Sequence, residues 1–126
     1  MSAPELEEFR EKLDREMRTG LLAMVLLAAI DRLGPAYGYG LLRSIEERSR
    51  GRVVVGESTA YPLLQRLEKA GLVRSRWREG DSGPPRKYYE ATSFGRYALE
   101  RVVKDWRALT RDVEALLGDL EREAER

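Results

Sequence analysis

The last third of the chain places apolar side chains where a continuous helix would turn them all to one side. Leu99, Val103, Trp106, Val113, Leu117 and Leu120, with Thr110 in the same register, recur at intervals of four and three. Such heptad-like spacing builds one apolar stripe along a helix, and Val102, Leu109 and Leu116 widen it. A chain of 126 residues has room for one compact core and a projecting helix, but not for two independent domains. It therefore has too little structure of its own to cover that stripe, and a partner helix is implied. Residues 1–92 and 93–126 are read as two parts of a single unit, the second being the dimerisation helix.

The opposite end has a similar pattern. From Pro4 to about Leu33, Leu6, Phe9, Leu13, Met17, Leu21, Met24 and Leu27 keep a helical face apolar. Between Leu21 and Ile30 the helix is apolar almost all round, as expected where a domain wraps it, and Gly34 and Pro35 stop it. A second helix is expected over Tyr39–Arg48. A third is expected from a cap at Ser58 or Thr59 to Ala70, with Pro62 in its first turn and Gly71 beyond its end. At 100° per residue, Ala60, Leu63, Leu64 and Leu67 share one side of that helix. Ser58, Pro62, Gln65, Arg66 and Lys69 take the other, with Tyr61 on the border. Leu72–Arg78 and Arg86–Ala91 read as strands joined by a polar loop from Glu79 to Pro85, and Thr92 or Ser93 caps the last helix. The fold class is mainly α with a small β-hairpin, in the element order of a winged helix-turn-helix flanked by long terminal helices.

Composition narrows the chemistry. There is no cysteine and no histidine, which removes disulfides, thiolates, imidazole bases and the usual zinc ligands; no metal and no cofactor is expected. Gly38 and Gly40 begin a glycine pattern, but Arg43 stands at the third place and no strand is expected before them, so a dinucleotide site is not indicated. The chain does not read as an enzyme. The first residues lack a basic-then-apolar leader, and Leu21–Ile30 is about half a membrane span, so a cytoplasmic protein is expected. The net charge of +1 hides an uneven distribution. Residues 37–91 carry eleven basic and seven acidic side chains, whereas both flanking segments are slightly acidic.

Four colinear runs carry a family resemblance: Tyr37-Gly38-Tyr39-Gly40-Leu41-Leu42, Ser58 through Val73, Pro85-Arg86-Lys87-Tyr88-Tyr89, and Thr92-Ser93-Phe94-Gly95-Arg96. Together they resemble the PadR family over roughly Gly20 to Trp106. The resemblance implies a winged-helix region that binds DNA as a homodimer, usually as a repressor, with dimerisation through the terminal helices. The single short C-terminal helix is similar to that of the smaller members. Ser58 stands where the family commonly has glycine, Ala60 where it has a larger aliphatic residue, and Ala91 where it has leucine.

In this register the DNA-facing candidates are Tyr39, Ser58, Thr59, Tyr61, Pro62, Gln65, Arg66, Lys69, Arg86 and Lys87. Ser58 and Thr59 suit a phosphate at a helix N-terminus, or serve only as caps. Tyr61 either donates its hydroxyl to a phosphate or anchors the turn as a half-buried ring. Gln65 has the amide that pairs with adenine, and Arg66 or Lys69 can address guanine or the backbone. Arg86 and Lys87 fit backbone or minor-groove contacts at the wing, or a solvated strand end. Phe9, Leu13, Leu99, Val103, Trp106, Val113, Leu117 and Leu120 are the dimer-interface candidates. The resemblance further implies that Trp106 lines an interface cavity for a planar aromatic effector, to which Phe9 and Leu13 are added as candidate neighbours; the alternative is plain packing against its dimer mate. The functional expectation is a repressor that binds an inverted-repeat operator as a homodimer and is released by such a ligand. The rival is a winged helix that docks an acidic protein partner without binding DNA.

Overall fold

The computed structural model describes residues 1–80 and 82–124. Seven elements follow in order: α1 (Ala3–Leu33), β1 (Ala36–Tyr37), α2 (Gly38–Arg48), α3 (Glu57–Lys69), β2 (Val73–Gly80), β3 (Gly83–Ala91) and α4 (Ser93–Ala124). Mainly helical with a small antiparallel sheet, this is the expected architecture. One strand was not expected. Ala36 and Tyr37, between the first two helices, pair with β3 through Ala36↔Tyr89 and Tyr37↔Tyr88, giving the sheet order β1-β3-β2. Two residues are too few to show alternation, so no sequence pattern marks them.

The helix ends follow local chemistry. Ser2 caps α1, its Oγ accepting from the Glu5 N–H at 3.3 Å. α3 closes with a paired motif in which the Leu72 N–H bonds the Leu67 carbonyl and the Gly71 N–H bonds that of Glu68. Gly71 takes φ 79°, which a residue with a Cβ rarely adopts. The start of α3 differs from expectation. Gly56 is the cap, and its carbonyl accepts from the N–H groups of Thr59 and Ala60. Ser58 and Thr59 therefore lie inside the first turn and cap nothing. Pro62 falls in the second turn rather than the first, and its missing N–H removes the bond that a residue four places on would donate to the Ser58 carbonyl.

The hairpin is also tighter than expected. Strand pairing runs out to Gly80↔Gly83, with an irregularity between Arg78 and Gly80, so the polar segment from Glu79 belongs largely to the strands; Asp81 lies outside the described residues. Of the adjacent Pro84 and Pro85, one turns its nitrogen to the outer edge of β3, which β1, reaching only Tyr88 and Tyr89, leaves free, and the other faces β2 near the irregularity between Arg78 and Gly80.

The core is one cluster in which Leu26, Ile30, Leu41, Leu64 and Val73 are fully buried, with Ala60, Leu67 and Tyr89 beside them. The expected faces of α3 hold: Ala60, Leu64 and Leu67 point in, and Ser58, Pro62, Gln65, Arg66 and Lys69 are exposed. α4 is pressed onto the α3–β2 turn. Thr92 Oγ1 donates to the Gly71 carbonyl at 2.7 Å and accepts from the Gly95 N–H at 2.9 Å, making it the cap of α4. A Cβ at Gly95 would lie 1.9 Å from the Leu72 carbonyl oxygen, so only glycine permits this approach.

That docking corrects one expectation. Leu99, assigned to the dimer face, is only 9% exposed and belongs to the core of its own chain, and Val103 packs against the same cluster. The first turns of α4 lie over the domain, anchored by an Arg96–Asp31 ion pair at 2.9 Å, and their inward positions are consumed there. Beyond Val103 the stripe is open. Trp106, Val113, Leu117 and Leu120 are exposed, as are Leu6, Phe9, Leu13 and Met17 at the start of α1.

Candidate nucleic-acid interface

α3 and the β2–β3 wing meet through Glu68, whose carboxylate faces the sheet. Ser75 Oγ donates to it at 2.7 Å, and Lys87 Nζ lies 3.8 Å away. Between helix and wing opens a cleft of about 660 Å³ lined by Tyr39, Tyr61, Gln65, Trp77, Lys87 and Tyr89, with Arg86 at its rim. Its walls are therefore aromatic with cationic and amide groups interspersed, a chemistry suited to sugar and phosphate.

The glycines of Tyr37-Gly38-Tyr39-Gly40 explain how the rings fit. A Cβ at Gly38 would touch the Tyr61 hydroxyl at 3.0 Å, and one at Gly40 the Tyr37 ring at 3.2 Å. Each glycine makes room for a tyrosine that the neighbouring element brings in. Tyr61 has its ring seated against Gly38, as the turn-anchoring reading expects, while the residue remains 42% exposed in the cleft. The Tyr39 hydroxyl accepts from Arg43 at 3.4 Å in the neighbouring hollow, so this residue borders both that hollow and the cleft. Tyr89, at the bottom, has its phenol pushed above the ordinary value by burial.

The candidates do not form a single patch. Ser58, Pro62, Gln65 and Lys69 share the exposed side of α3, with Arg66 at its margin. Thr59 turns toward α1, where it lines a hollow with Arg15 and Arg18. Arg86 and Lys87 are adjacent on β3 and project to opposite faces of the wing, as strand alternation requires. Lys87 is drawn back toward Glu68 and the Tyr89 ring, whereas the Arg86 guanidinium lies over the Tyr37 ring, 4.6 Å from its centre. Trp77, directly opposite Lys87 and 68% exposed, was not among the candidates. The signal for it was present: Arg74, Arg76 and Arg78 alternate with Ser75 and Trp77, so the tryptophan must share a face with Ser75 and Lys87.

A sequence profile of the transcriptional regulator PadR-like family matches residues 26–101. The chain belongs to that family. It is therefore a PadR-like transcriptional regulator, of a family of regulators and not of enzymes. Among solved structures, a PadR family transcriptional regulator from Eggerthella lenta is 36% identical, superimposes with a TM-score of 0.81, and is matched over 97% of its length and 91% of this chain. A PadR-like regulator from Bacillus cereus is 32% identical with a TM-score of 0.69, over 96% of that protein and 81% of this one. The transcriptional regulator Rv3488 of Mycobacterium tuberculosis is 42% identical over 73 residues, 58% of this chain and 64% of its own. The matched residues 26–101 take in α2, α3, the wing and the capped start of α4, so the cleft lies wholly within the family region.

Proposed function

We propose that this PadR-like regulator binds an inverted-repeat DNA operator as a homodimer and represses transcription from it. The observation that carries this reading is the cleft: the exposed side of α3, with Gln65 and Lys69, stands beside a wing bearing Arg86, and between them Tyr39, Tyr61 and Trp77 offer a lining for the sugar-phosphate backbone. With α3 in a major groove, Gln65 addresses adenine edges and Arg66 and Lys69 address guanine or phosphate, while the wing reaches the neighbouring minor groove. Ser58 and Pro62 abut the backbone at the start of α3, and Lys87 positions the wing through Glu68 as well as adding charge.

The homodimer is supported by apolar area that one chain leaves uncovered. α1 and α4, of 31 and 32 residues, each carry an open stripe: Phe9 and Leu13 on the first, Trp106, Val113, Leu117 and Leu120 on the second. Two copies pairing these stripes hold two α3 helices about 34 Å apart, one turn of DNA, and two-fold symmetry then asks for an inverted repeat. Trp106, with Phe9 and Leu13, supplies flat apolar surface at that interface for a planar aromatic effector, which acts by favouring a spacing of the two halves that no longer fits the operator.

Selection of bound sequences from a random duplex pool, coupled with light scattering, tests the reading. The expected result is an enriched inverted repeat bound by a particle of twice 14.5 kDa. A monomer that enriches nothing at low salt overturns it.

A further inference from the structure

Strand alternation divides the wing into two faces. Ser75, Trp77, Lys87 and Tyr89 face α3 and its cleft, whereas the cross-strand pairs Arg74↔Glu90, Arg76↔Tyr88 and Arg78↔Arg86 stand on the opposite, solvent side. That side carries the guanidinium groups of Arg74, Arg76 and Arg78, that of Arg86 being turned over the Tyr37 ring at the edge of the cleft, and among the described residues a single carboxylate. Glu90 engages one of them: Arg74 Nε donates to it at 2.6 Å, and its carboxyl is held below the ordinary range by that bond. Arg76 is 4.0 Å from the same carboxylate and 58% exposed, a separation at which water screens most of the attraction.

Among the described residues Arg78 and Arg86 have no carboxylate within ion-pair distance, and they lie directly opposite each other, an arrangement that like charges disfavour. Aromatic rings hold them there. The Arg78 guanidinium sits 4.9 Å from the centre of the Tyr88 ring, Arg86 sits 4.6 Å from that of Tyr37, and the two rings meet edge to face at 5.7 Å. Stacked guanidinium groups keep their N–H edges free for planar, two-pronged contacts with phosphate. Along β2 the arginines repeat every second residue, about 6.7 Å, far enough apart to engage separate phosphates.

We propose that the outer face of the wing is a second DNA-contact surface, which holds through Arg76 and Arg78 the phosphates of duplex lying beyond the segment that α3 reads. This rests on the DNA-binding reading above and extends its footprint. With α3 in the major groove, the inner face of the wing turns to the backbone nearest the helix. The outer face is then directed away from α3, toward the flanking duplex. It has net positive charge, rigidly stacked donors and no packing duty toward the core. The free energy gained there is independent of sequence, because only phosphates are touched.

The test compares wild type with the double variant R76Q/R78Q, which keeps the Arg74–Glu90 bond. Both are titrated onto the selected operator in two lengths, one ending at the half-sites and one extended by ten base pairs on each side. Wild type and variant should bind the short duplex equally, and the variant should be weaker on the long one. Two phosphate contacts change the salt slope by about 1.8, so the wild-type advantage on the long duplex should shrink about twelvefold between roughly 50 and 200 mM salt. Equal binding of the two proteins to the long duplex overturns the proposal, and so does an equal loss on both lengths. A wild-type protein that binds neither duplex overturns the DNA-binding reading itself, and this surface with it.

Discussion

Two glycines in the same helix should respond to alanine with opposite signs. Gly95, in the first turn of α4, faces the Leu72 carbonyl so closely that an added Cβ would lie 1.9 Å from the oxygen. Ordinary contact begins near 3.4 Å, so helix and turn must separate by roughly 1.5 Å. Neither side can yield by a rotamer change, since one partner is backbone and the other a Cβ. The separation also stretches the bonds that Thr92 makes to Gly71 and Gly95. Overpacking of this kind costs about 3 kcal/mol, offset by about 1 kcal/mol from the better helix propensity of alanine. Gly95→Ala should therefore lose about 2 kcal/mol, equivalent to a fall in Tm of roughly 6–10 °C for a chain of this size. Gly118, near the other end of α4, has nothing within 4 Å of its would-be Cβ. Gly118→Ala keeps only the propensity gain, up to about 1 kcal/mol, or a rise of roughly 3–5 °C. Urea and thermal unfolding at one fixed protein concentration would measure both, which matters if the folded species is a dimer. A Gly95→Ala protein as stable as wild type would refute the close docking of α4 on the α3–β2 turn.

Other changes address separate parts of the argument. Leu64→Ala, which empties a fully buried position where α3 meets the core, should cost about 2–5 kcal/mol in urea unfolding; a loss under 1 kcal/mol would mean the helix is not seated as described. Gln65→Ala should change which duplexes are enriched in selection, by about 1–3 kcal/mol at an adenine position, while leaving the salt slope intact. A uniform loss across sequences would make Gln65 a backbone contact instead. Lysines introduced together at Leu109 and Leu116, which are 63% and 68% exposed, should leave the fold unchanged by circular dichroism and shift the particle toward the monomer in light scattering. Trp106→Ala separates packing from sensing: a dimer that survives but no longer binds flat dyes supports an interface pocket, and loss of the dimer supports packing alone.

What could be read from the sequence was whatever a residue's own periodicity dictates. The faces of α3 follow from 100° steps, and Ala60, Leu64 and Leu67 point inward as counted. The open stripes on α1 and α4 follow in the same way. Where another element competes for a residue, periodicity is blind. Leu99 lies on the heptad-like stripe but is buried by its own domain, because Gly95 and Thr92 dock the first turns of α4 there. Ser58 and Thr59 have the chemistry of caps, yet the Gly56 carbonyl already accepts from the N–H groups of Thr59 and Ala60, and helix begins at Glu57. β1 depends on pairing with Tyr88 and Tyr89, more than fifty residues along the chain, and nothing in Ala36 and Tyr37 announces it.

The cleft shows the same division between local pattern and long-range meeting. Its basic residues were visible as single charges, but not which of them share a surface. Arg86 and Lys87 look like one feature in sequence, whereas the strand sends them to opposite faces, so each acquires different neighbours: Tyr37 for the arginine, Glu68 and Tyr89 for the lysine. Charge segregation along the chain is thus a poor guide to charge in space, even though alternation on β2 and register with β3 settle it once the strands are known. The consequence is that neutralising Arg86 and neutralising Lys87 are different experiments. Removal of the Lys87 charge should loosen the wing from α3 as well as reduce attraction to DNA, because Glu68 loses its cationic partner and keeps only the Ser75 hydroxyl. Removal of the Arg86 charge should relieve its repulsion with Arg78 while taking away one of the proposed phosphate contacts. A sequence-level reading that treats the pair as one basic patch predicts equal effects, and the geometry does not.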